Sequence, residues 1–116
     1  MSKFDFNNSV YVIDEGASLG VAMEKITLNK RGAVLVANRD RVLIGVVSDG
    51  DIRRSLLSQA TMITPITKVL NMNVVSISKD EDTAERSQDI FNEKTVVNII
   101  PVVDGKNKIV DIIVRG

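Results

Sequence analysis

The chain has 116 residues, 44% of them hydrophobic and 26% charged, which is the composition of an ordinary globular protein of one compact unit. Its 15 Lys+Arg balance 15 Asp+Glu, so the net charge of zero favours neither nucleic acid nor an anionic membrane as partner. It contains no Cys and no His, which excludes disulfides, thiolate and imidazole metal sites, thiol nucleophiles and histidine general bases. We therefore expect no enzyme, no catalytic cofactor and no metal site.

The N-terminal segment and the longest apolar runs bear on location. The first eight residues are polar and include Asp5, unlike the apolar core of a secretory signal. No apolar run approaches the roughly 20 residues that span a bilayer. These features predict a cytoplasmic protein that is not embedded in a membrane.

The first half of the chain has the order strand, helix, strand, strand. An extended stretch, Val10–Ile13, leads to Ser18, a residue type that caps helices. Apolar residues then follow at helical spacing: Leu19, Ala22, Met23 and Ile26. We expect the helix to stop at Gly32, and the apolar runs 33–37 and 42–47, separated by a polar turn, predict a hairpin of buried strands.

The second half repeats this order. Val74–Ile77 predicts a strand, Thr83 a helix N-cap, and the apolar runs 98–103 and 109–114 a second hairpin. Equivalent residues lie at a nearly constant spacing, 65 positions from Ser18 to Thr83 and 66 from the first hairpin to the second. Such spacing indicates an internal repeat.

The connection between the halves contains a predicted helix, Arg53–Leu57, and Pro65, which suits the first turn of a short helix. Each half alone would leave one apolar face of its sheet exposed and is too small to be stable. We therefore expect the two halves to pack sheet against sheet.

Two motifs carry a resemblance to a known family. The segment Gly45–Arg54, GVVSDGDIRR, resembles the closing motif of a CBS (cystathionine beta-synthase) domain, and Ile100–Asp104, IPVVD, resembles the middle strand of another. Met72–Val75 is similar to the entry that follows the linker helix of such domains. Two repeats imply a Bateman module with an α/β (α+β) fold. Its tandem repeats, residues 1–64 and 65–116, would each have strand-helix-strand-strand order with a flanking helix, and their small sheets would pack with pseudo-twofold symmetry.

The resemblance also implies a function. Pairs of this family are sensory appendages of larger proteins, and many bind AMP, ADP, ATP or S-adenosylmethionine. It therefore implies a non-enzymatic module that senses an adenosine nucleotide and controls an attached or partner domain as a homodimer. The layout resembles the N-terminal pair of a sugar-phosphate nucleotidyltransferase, which implies a C-terminal catalytic domain; the alternative is a ligand-free structural dimerisation module of such an enzyme. After Ile113 the second Ser/Thr-x-x-Asp is missing, so either the second site is absent or the chain has been cut there.

The candidate site begins at Ser48, where an apolar strand passes into a helix whose first N–H groups favour an anion or a sugar edge. A carboxylate at Asp51 can accept from both ribose hydroxyls, and the Ser48 hydroxyl can reach ribose or phosphate. Arg53 is the candidate for a phosphate contact. The same Ser-x-x-Asp pattern is also a helix capping box, so the alternative that both side chains only satisfy backbone N–H groups stays open.

The resemblance places the adenine against the second repeat. The implied ligand-binding residues are Val46, Ser48, Asp51, Arg53, Val75, Ser76, Val97, Asn98 and Ile99. Asn98 could equally be an edge or turn residue that faces solvent. A mirror-related cleft near Val12, Gly32 and Ala33 would pair with Val114 and Arg115, but it lacks an acid for ribose, and we expect it to be empty or weakly occupied.

Overall fold

Two three-stranded sheets, one from each half of the chain, form the framework of the molecule. The computed structural model describes residues 5–116, so the first four residues of the predicted first repeat lie outside the described part. The strands are β1 Val12–Asp14, β2 Ala33–Ala37, β3 Leu43–Ser48, β4 Ile77–Ser78, β5 Ile99–Val103 and β6 Ile109–Val114. The helices are α1 Leu19–Asn29, α2 Asp49–Leu57 and α3 Thr83–Glu93, with short 3-10 helices at Phe6–Asn8 and Ile66–Lys68. The mixed fold of two strand-helix-strand-strand units is confirmed.

Both sheets have the same topology. Their orders are β1-β2-β3 and β4-β5-β6. In each, the first strand runs parallel to the second and the second runs antiparallel to the third. None of the helices within residues 5–116 is long and apolar enough to cross a membrane.

Helix α1 forms as its sequence predicts at the start but ends earlier. The Ser18 hydroxyl accepts a hydrogen bond from the Val21 N–H at 3.4 Å, and Leu19, Ala22 and Ile26 are buried against the sheet. Lys30 adopts the left-handed conformation, with φ 59°, and its N–H donates to the Ile26 carbonyl. The expected stop at Gly32 is therefore two residues late, because Lys30 itself closes the last turn.

Two helix starts and two strands also differ from the sequence expectations. Strand β4 is Ile77–Ser78 rather than Val74–Ile77, because Pro101, opposite its entry, has no N–H to donate. Helix α2 begins at Asp49 rather than Arg53, because Ser48 caps it directly at the end of β3. Helix α3 is capped by Asp82, whose side chain accepts from the Glu85 N–H at 3.1 Å, so Thr83 is its first helical residue rather than its cap. Strand β1 begins two residues after Val10. The exact starts depend on which polar side chain reaches a free N–H.

The two repeats join through their third strands in a symmetric way. The Leu43 N–H donates to the Asn107 carbonyl at 2.9 Å, and the equivalent Ile109 N–H donates to the Arg41 carbonyl at 3.0 Å. One buried cluster contains residues of both sheets, namely Val12, Leu35, Ala37, Leu43, Ile99, Val103 and Ile109. The expected packing of sheet against sheet is thus observed. It buries the apolar face that each half would otherwise expose.

The hairpin turns repeat as well. The Asn38 side-chain oxygen accepts two backbone N–H groups of the first turn, and Asp104 Oδ1 accepts the N–H groups of Lys106 and Lys108, each at 2.9 Å, in the second. These two hydrogen bonds, first that of Lys108, lower the pKa of the Asp104 carboxyl below its usual range, because they stabilise the charged form. The two repeats therefore build the same turn, one with a neutral amide and the other with a carboxylate.

Candidate functional site

A cavity of about 260 Å³ lies between the two repeats. Six of the nine predicted ligand-binding residues line it: Val46, Ser48, Val75, Val97, Asn98 and Ile99. The structure adds six more lining residues: Ala33, Leu35, Asn71, Asn73, Val74 and Val96. Ala33 was expected in the mirror-related cleft, but it lines this cavity instead. The volume is close to the lower limit of roughly 300 Å³ for small-molecule pockets. The repeat organisation thus brings together residues that are about 65 positions apart in the chain.

The segment between the repeats forms one wall of the cavity. Asn71 crosses β3 and exchanges two backbone hydrogen bonds with Val46, at 2.9 and 3.0 Å. This approach requires Gly45, since a Cβ there would lie 2.5 Å from the Leu70 side chain and 2.7 Å from the Asn71 carbonyl oxygen. The Asn71 side chain in turn accepts from the Asn73 N–H at 3.0 Å. In the sequence, Asn71 and Asn73 are two polar residues just before the apolar stretch that leads to β4, and this is the signal that could have indicated the wall.

Ser48 and Asp51 form the capping box that was the alternative to ribose binding. Ser48 Oγ accepts from the Asp51 N–H at 3.1 Å, and Asp51 Oδ2 accepts from the Ser48 N–H at 3.0 Å. Asp51 Oδ1 accepts from Arg54 at 2.6 Å, and 22% of the Asp51 side chain remains exposed. Each carboxylate oxygen has capacity for a further hydrogen bond. The cap therefore uses Oδ2 and the ion pair uses Oδ1, and neither oxygen has its full number of hydrogen bonds. Asp51 is bonded directly to Ser48, which lines the cavity.

Three predicted site residues do not line the cavity. They are Asp51, which is bonded to Ser48, Ser76, which follows the lining residue Val75, and Arg53. Arg53 is paired with Asp49 at 2.6 Å and its side chain is 70% exposed. Arg54, not Arg53, is the arginine that contacts Asp51. A ligand contact by Ser76 or Arg53 stays a prediction.

Asn98 is half-buried and connects the two repeats. Its side-chain N–H donates to the Arg31 carbonyl at 3.2 Å, and its oxygen accepts from Arg115 Nε at 3.1 Å. Arg31 donates to the Arg115 carbonyl at 2.7 Å, which closes a ring of three residues. Asn98 therefore lies in the loop before β5 with its amide hydrogen-bonded to both repeats, and a ligand contact by it stays a prediction. Its amide holds one wall of the cavity in place, next to the position of the expected mirror-related cleft.

The cavity wall is electrically neutral. Among the residues that line it in the described part of the chain, none carries a formal charge. The neighbouring cations are engaged: Arg54 with Asp51, Arg53 with Asp49, and Arg115 with the carbonyls of Phe91, Lys94 and Val97. Such a site suits a neutral, polar and partly apolar group such as a nucleoside.

A larger and more open cavity, of about 410 Å³, lies on the first repeat beside α1. Val12, Lys25 and Arg39 are among its lining residues, and none of the nine predicted ligand-binding residues is. We place the candidate site in the smaller cavity, because that one is lined by both repeats and contains the predicted set.

Comparisons with known proteins show a similar family and a shared fold. Residues 3–58 match the family model described as CBS domain. The AcuB protein of Vibrio cholerae is 22% identical, with a TM-score of 0.76 over 90% of this chain and 76% of that one. The CBS domain protein PAE2072 of Pyrobaculum aerophilum, solved with AMP, is 18% identical, with a TM-score of 0.70 over 89% of this chain and 78% of that one. Residues 3–58 are therefore similar to a CBS domain, and the described chain has the same fold as these two structures.

A curated relative is a sugar-phosphate enzyme. Arabinose 5-phosphate isomerase GutQ of Salmonella typhi is 26% identical over 88 residues, which are 76% of this chain and 27% of the isomerase. The chain thus spans about a quarter of the length of the curated relatives it matches. The association with a nucleotidyltransferase and the repeat boundary between residues 64 and 65 stay predictions.

Proposed function

We propose that this chain is a non-catalytic regulatory module that senses an adenine nucleotide in the cavity between its two repeats. The observation that carries the proposal is that both repeats contribute walls to one neutral cavity containing six of the predicted ligand residues. The AMP complex of PAE2072, which has the same fold, supports an adenine nucleotide as ligand. In this proposal Asp51 accepts the ribose hydroxyls and the adenine lies against Val75 and Val97–Ile99.

The shared cavity explains how binding would become a signal. A ligand that contacts Ser48 in the first repeat and Val97 in the second binds best to one relative position of the repeats. If the ligand binds one arrangement of the repeats more tightly than another, it shifts the equilibrium toward that arrangement. The difference in binding free energy is the energy available to change the conformation of a partner domain. Asn98 lies in the cavity wall and is bonded to Arg31 and Arg115, so a shift of this wall is passed to both repeats.

Calorimetric titration with AMP, ADP and ATP tests the proposal in the wild type and in Asp51→Asn. An asparagine keeps an acceptor for the Ser48 N–H but loses one of the two carboxylate oxygens, so we expect AMP affinity to fall about tenfold or more. Asp82→Asn, at the cap of α3 and remote from the cavity, is the matched control and should bind AMP as the wild type does. Absence of binding by all three nucleotides to the wild type would refute the proposal.

The regulated partner is an enzyme in this proposal. We propose a sugar-phosphate enzyme, attached to the module or bound to it, because a curated relative is a sugar-phosphate isomerase. The sugar-phosphate nucleotidyltransferase expected from the sequence is a second enzyme of this substrate class. Addition of the module to either enzyme, with and without AMP, would test this assignment through the rate of the reaction.

A structural dimerisation role is the second candidate, and an exposed apolar surface favours it. The residues are Val21 on α1, Leu57 at the end of α2, and Met62 and Ile63 just beyond, of which Leu57 and Ile63 are 83% and 85% exposed. Apolar surface of this kind is typical of an interface with a second copy. We expect a dimer in sedimentation and a monomer for Leu57→Glu/Ile63→Glu, whereas Met72→Glu, outside this surface, stays dimeric. A monomeric wild type would exclude this role.

A further inference from the structure

The cavity of about 410 Å³ beside α1, called the α1 cavity below, combines buried apolar residues with cationic groups. Val12 and Ile13 of β1 and Ala37 of β2 line it and are each at most 4% exposed, so they form an apolar floor. Lys25 on α1 and Arg39 in the turn after β2 line the same cavity. The carboxyl ends of the parallel strands β1 and β2 meet here, and α/β sheets often bind ligands at such an edge.

Three side chains at the α1 cavity have hydrogen-bond donors to spare. Arg39 is exposed, and within residues 5–116 its guanidinium makes no ion pair and no hydrogen bond. The Asn38 side-chain oxygen accepts two backbone N–H groups of its turn, so its amino group remains available as a donor. Lys25 Nζ donates once, to the Ser9 carbonyl at 2.7 Å, and an ammonium has three donors. Two of the three groups that a ligand would meet are therefore cationic.

Asp14 is the one acid among the described residues that line the α1 cavity. Its Oδ2 accepts from the Gly16 N–H at 2.8 Å, within the turn that follows β1. Because Lys25 and Arg39 oppose this single carboxylate, the described lining carries an excess of one positive charge. A ligand with one negative charge balances that excess, which favours a monocarboxylate over a dianionic phosphate.

The second repeat has the opposite charge at the equivalent place. Helices α1 and α3 both have 11 residues and begin at equivalent positions, Leu19 and Thr83. At the positions of Ala17, Val21 and Lys25 the second repeat has three acids, which line a cavity of about 320 Å³ beside α3: Glu81, Glu85 and Asp89. The fold thus forms a depression beside this helix in both repeats. Only the sequence of the first repeat makes it apolar and cationic.

We propose that the α1 cavity binds the carboxylate of a small apolar acid, with Arg39 and Lys25 at the carboxylate and the hydrocarbon chain on the apolar floor. A guanidinium donates two parallel hydrogen bonds to a carboxylate. The hydrocarbon chain gains affinity in proportion to the apolar area that it removes from water. None of the nine residues predicted for the nucleotide is among the described residues that line this cavity. The inference therefore goes beyond the proposed function and does not depend on it.

NMR titration of the wild-type chain with valerate, pentanol and acetate tests the inference. Pentanol has the hydrocarbon chain of valerate without the carboxylate, and acetate has the carboxylate without the long chain. We expect valerate to bind at least about tenfold more tightly than either, because each of the others lacks one part of the recognition. The amide resonances that shift should be those of Ala17 and Ala37–Arg39. If valerate shifts none of them, or if the three affinities agree within about threefold, the inference is overturned.

Two substitutions test the role of the charges. Arg39→Gln and Lys25→Gln should each lower the affinity for valerate about tenfold, because each removes a charged hydrogen bond to the carboxylate. Lys106→Gln removes an exposed cation from the equivalent turn of the second repeat and is the matched control, which should bind valerate as the wild type does. A folded Arg39→Gln protein with unchanged affinity contradicts the inference. If Lys25→Gln does not fold, Arg39→Gln still decides, because its side chain is exposed and makes no contact that folding requires.

Discussion

Ser48 and Asp51 exchange hydrogen bonds across the first turn of α2, each side chain accepting from the backbone N–H of the other. Ser48→Ala and Asp51→Ala should therefore each lower the free energy of unfolding by about 1 kcal/mol, the usual value of a lost cap. Asp51→Asn should cost less, because the amide oxygen can still accept and Arg54, the partner in the lost ion pair, is 73% exposed.

Urea unfolding followed by circular dichroism would measure these differences. If Asp51→Asn lowers the free energy of unfolding as much as Asp51→Ala does, the stabilisation depends on the charge of Asp51. That result would contradict its assignment as a hydrogen-bonding cap residue. If stability is kept while AMP binding is lost in Asp51→Asn, the two roles of this residue are separated.

Gly45 allows the segment between the repeats to cross β3. Gly45→Ala places a methyl group against the Leu70 side chain and the Asn71 carbonyl, and the latter cannot retreat without loss of its bonds to Val46. We expect a destabilisation of about 1 to 3 kcal/mol, typical of overpacking, and weaker AMP binding because Asn71 lines the cavity. Thermal unfolding with Gly105→Ala as control measures this, since nothing lies within 4 Å of a Cβ at Gly105. Equal melting temperatures of Gly45→Ala and Gly105→Ala would argue against the close approach of the Leu70–Asn71 segment to β3.

The Asp104 carboxylate should make part of the folding stability of the chain sensitive to acid. Its pKa is lowered in the folded chain, so its contribution to stability is present above the ordinary carboxyl pKa and is lost as the pH falls through the folded value. Asp104→Asn should keep the turn, because Asn38 builds the same turn in the first repeat, and should lose less stability between about pH 5 and pH 3. Urea unfolding across this range measures it, with the exposed Asp40→Asn as control. An acid profile of Asp104→Asn identical to the wild type would disprove the prediction.

The neutral cavity wall predicts little preference for additional phosphates. Because no charged side chain is among its described lining residues and the nearby arginines are paired, ATP should bind at most about threefold more tightly than AMP. Affinity should also change little with salt, since few unpaired cations are available to be screened. Titrations of both nucleotides at low and high ionic strength are the measurement. A tenfold advantage of ATP that disappears at high salt would show that Arg53 or Arg54 leaves its carboxylate for the phosphates.

Much of the fold follows from local sequence. The apolar runs place β2 and β6 at the observed bounds and the other hairpin strands within one residue, because buried strands are continuous apolar segments bounded by polar turns. Ser18 marks the start of α1 in the same local way. The family resemblance places Ser48 and Val97 in one ligand site, and both line the cavity.

The sequence alone therefore determined the elements, their order, the duplicated architecture and half of the residues in the cavity wall. Only the tertiary structure decided which polar groups at the cavity wall have hydrogen-bond partners within the chain. Asn98 is bonded to Arg31, which is 67 positions away, and Asn71 joins the wall by crossing β3. Within residues 5–116 no group donates to the Val75 carbonyl, because the β5 residue opposite it is Pro101, which has no N–H. These facts depend on hydrogen bonds between distant segments, and no local pattern of residue types encodes which partner an individual donor or acceptor will find.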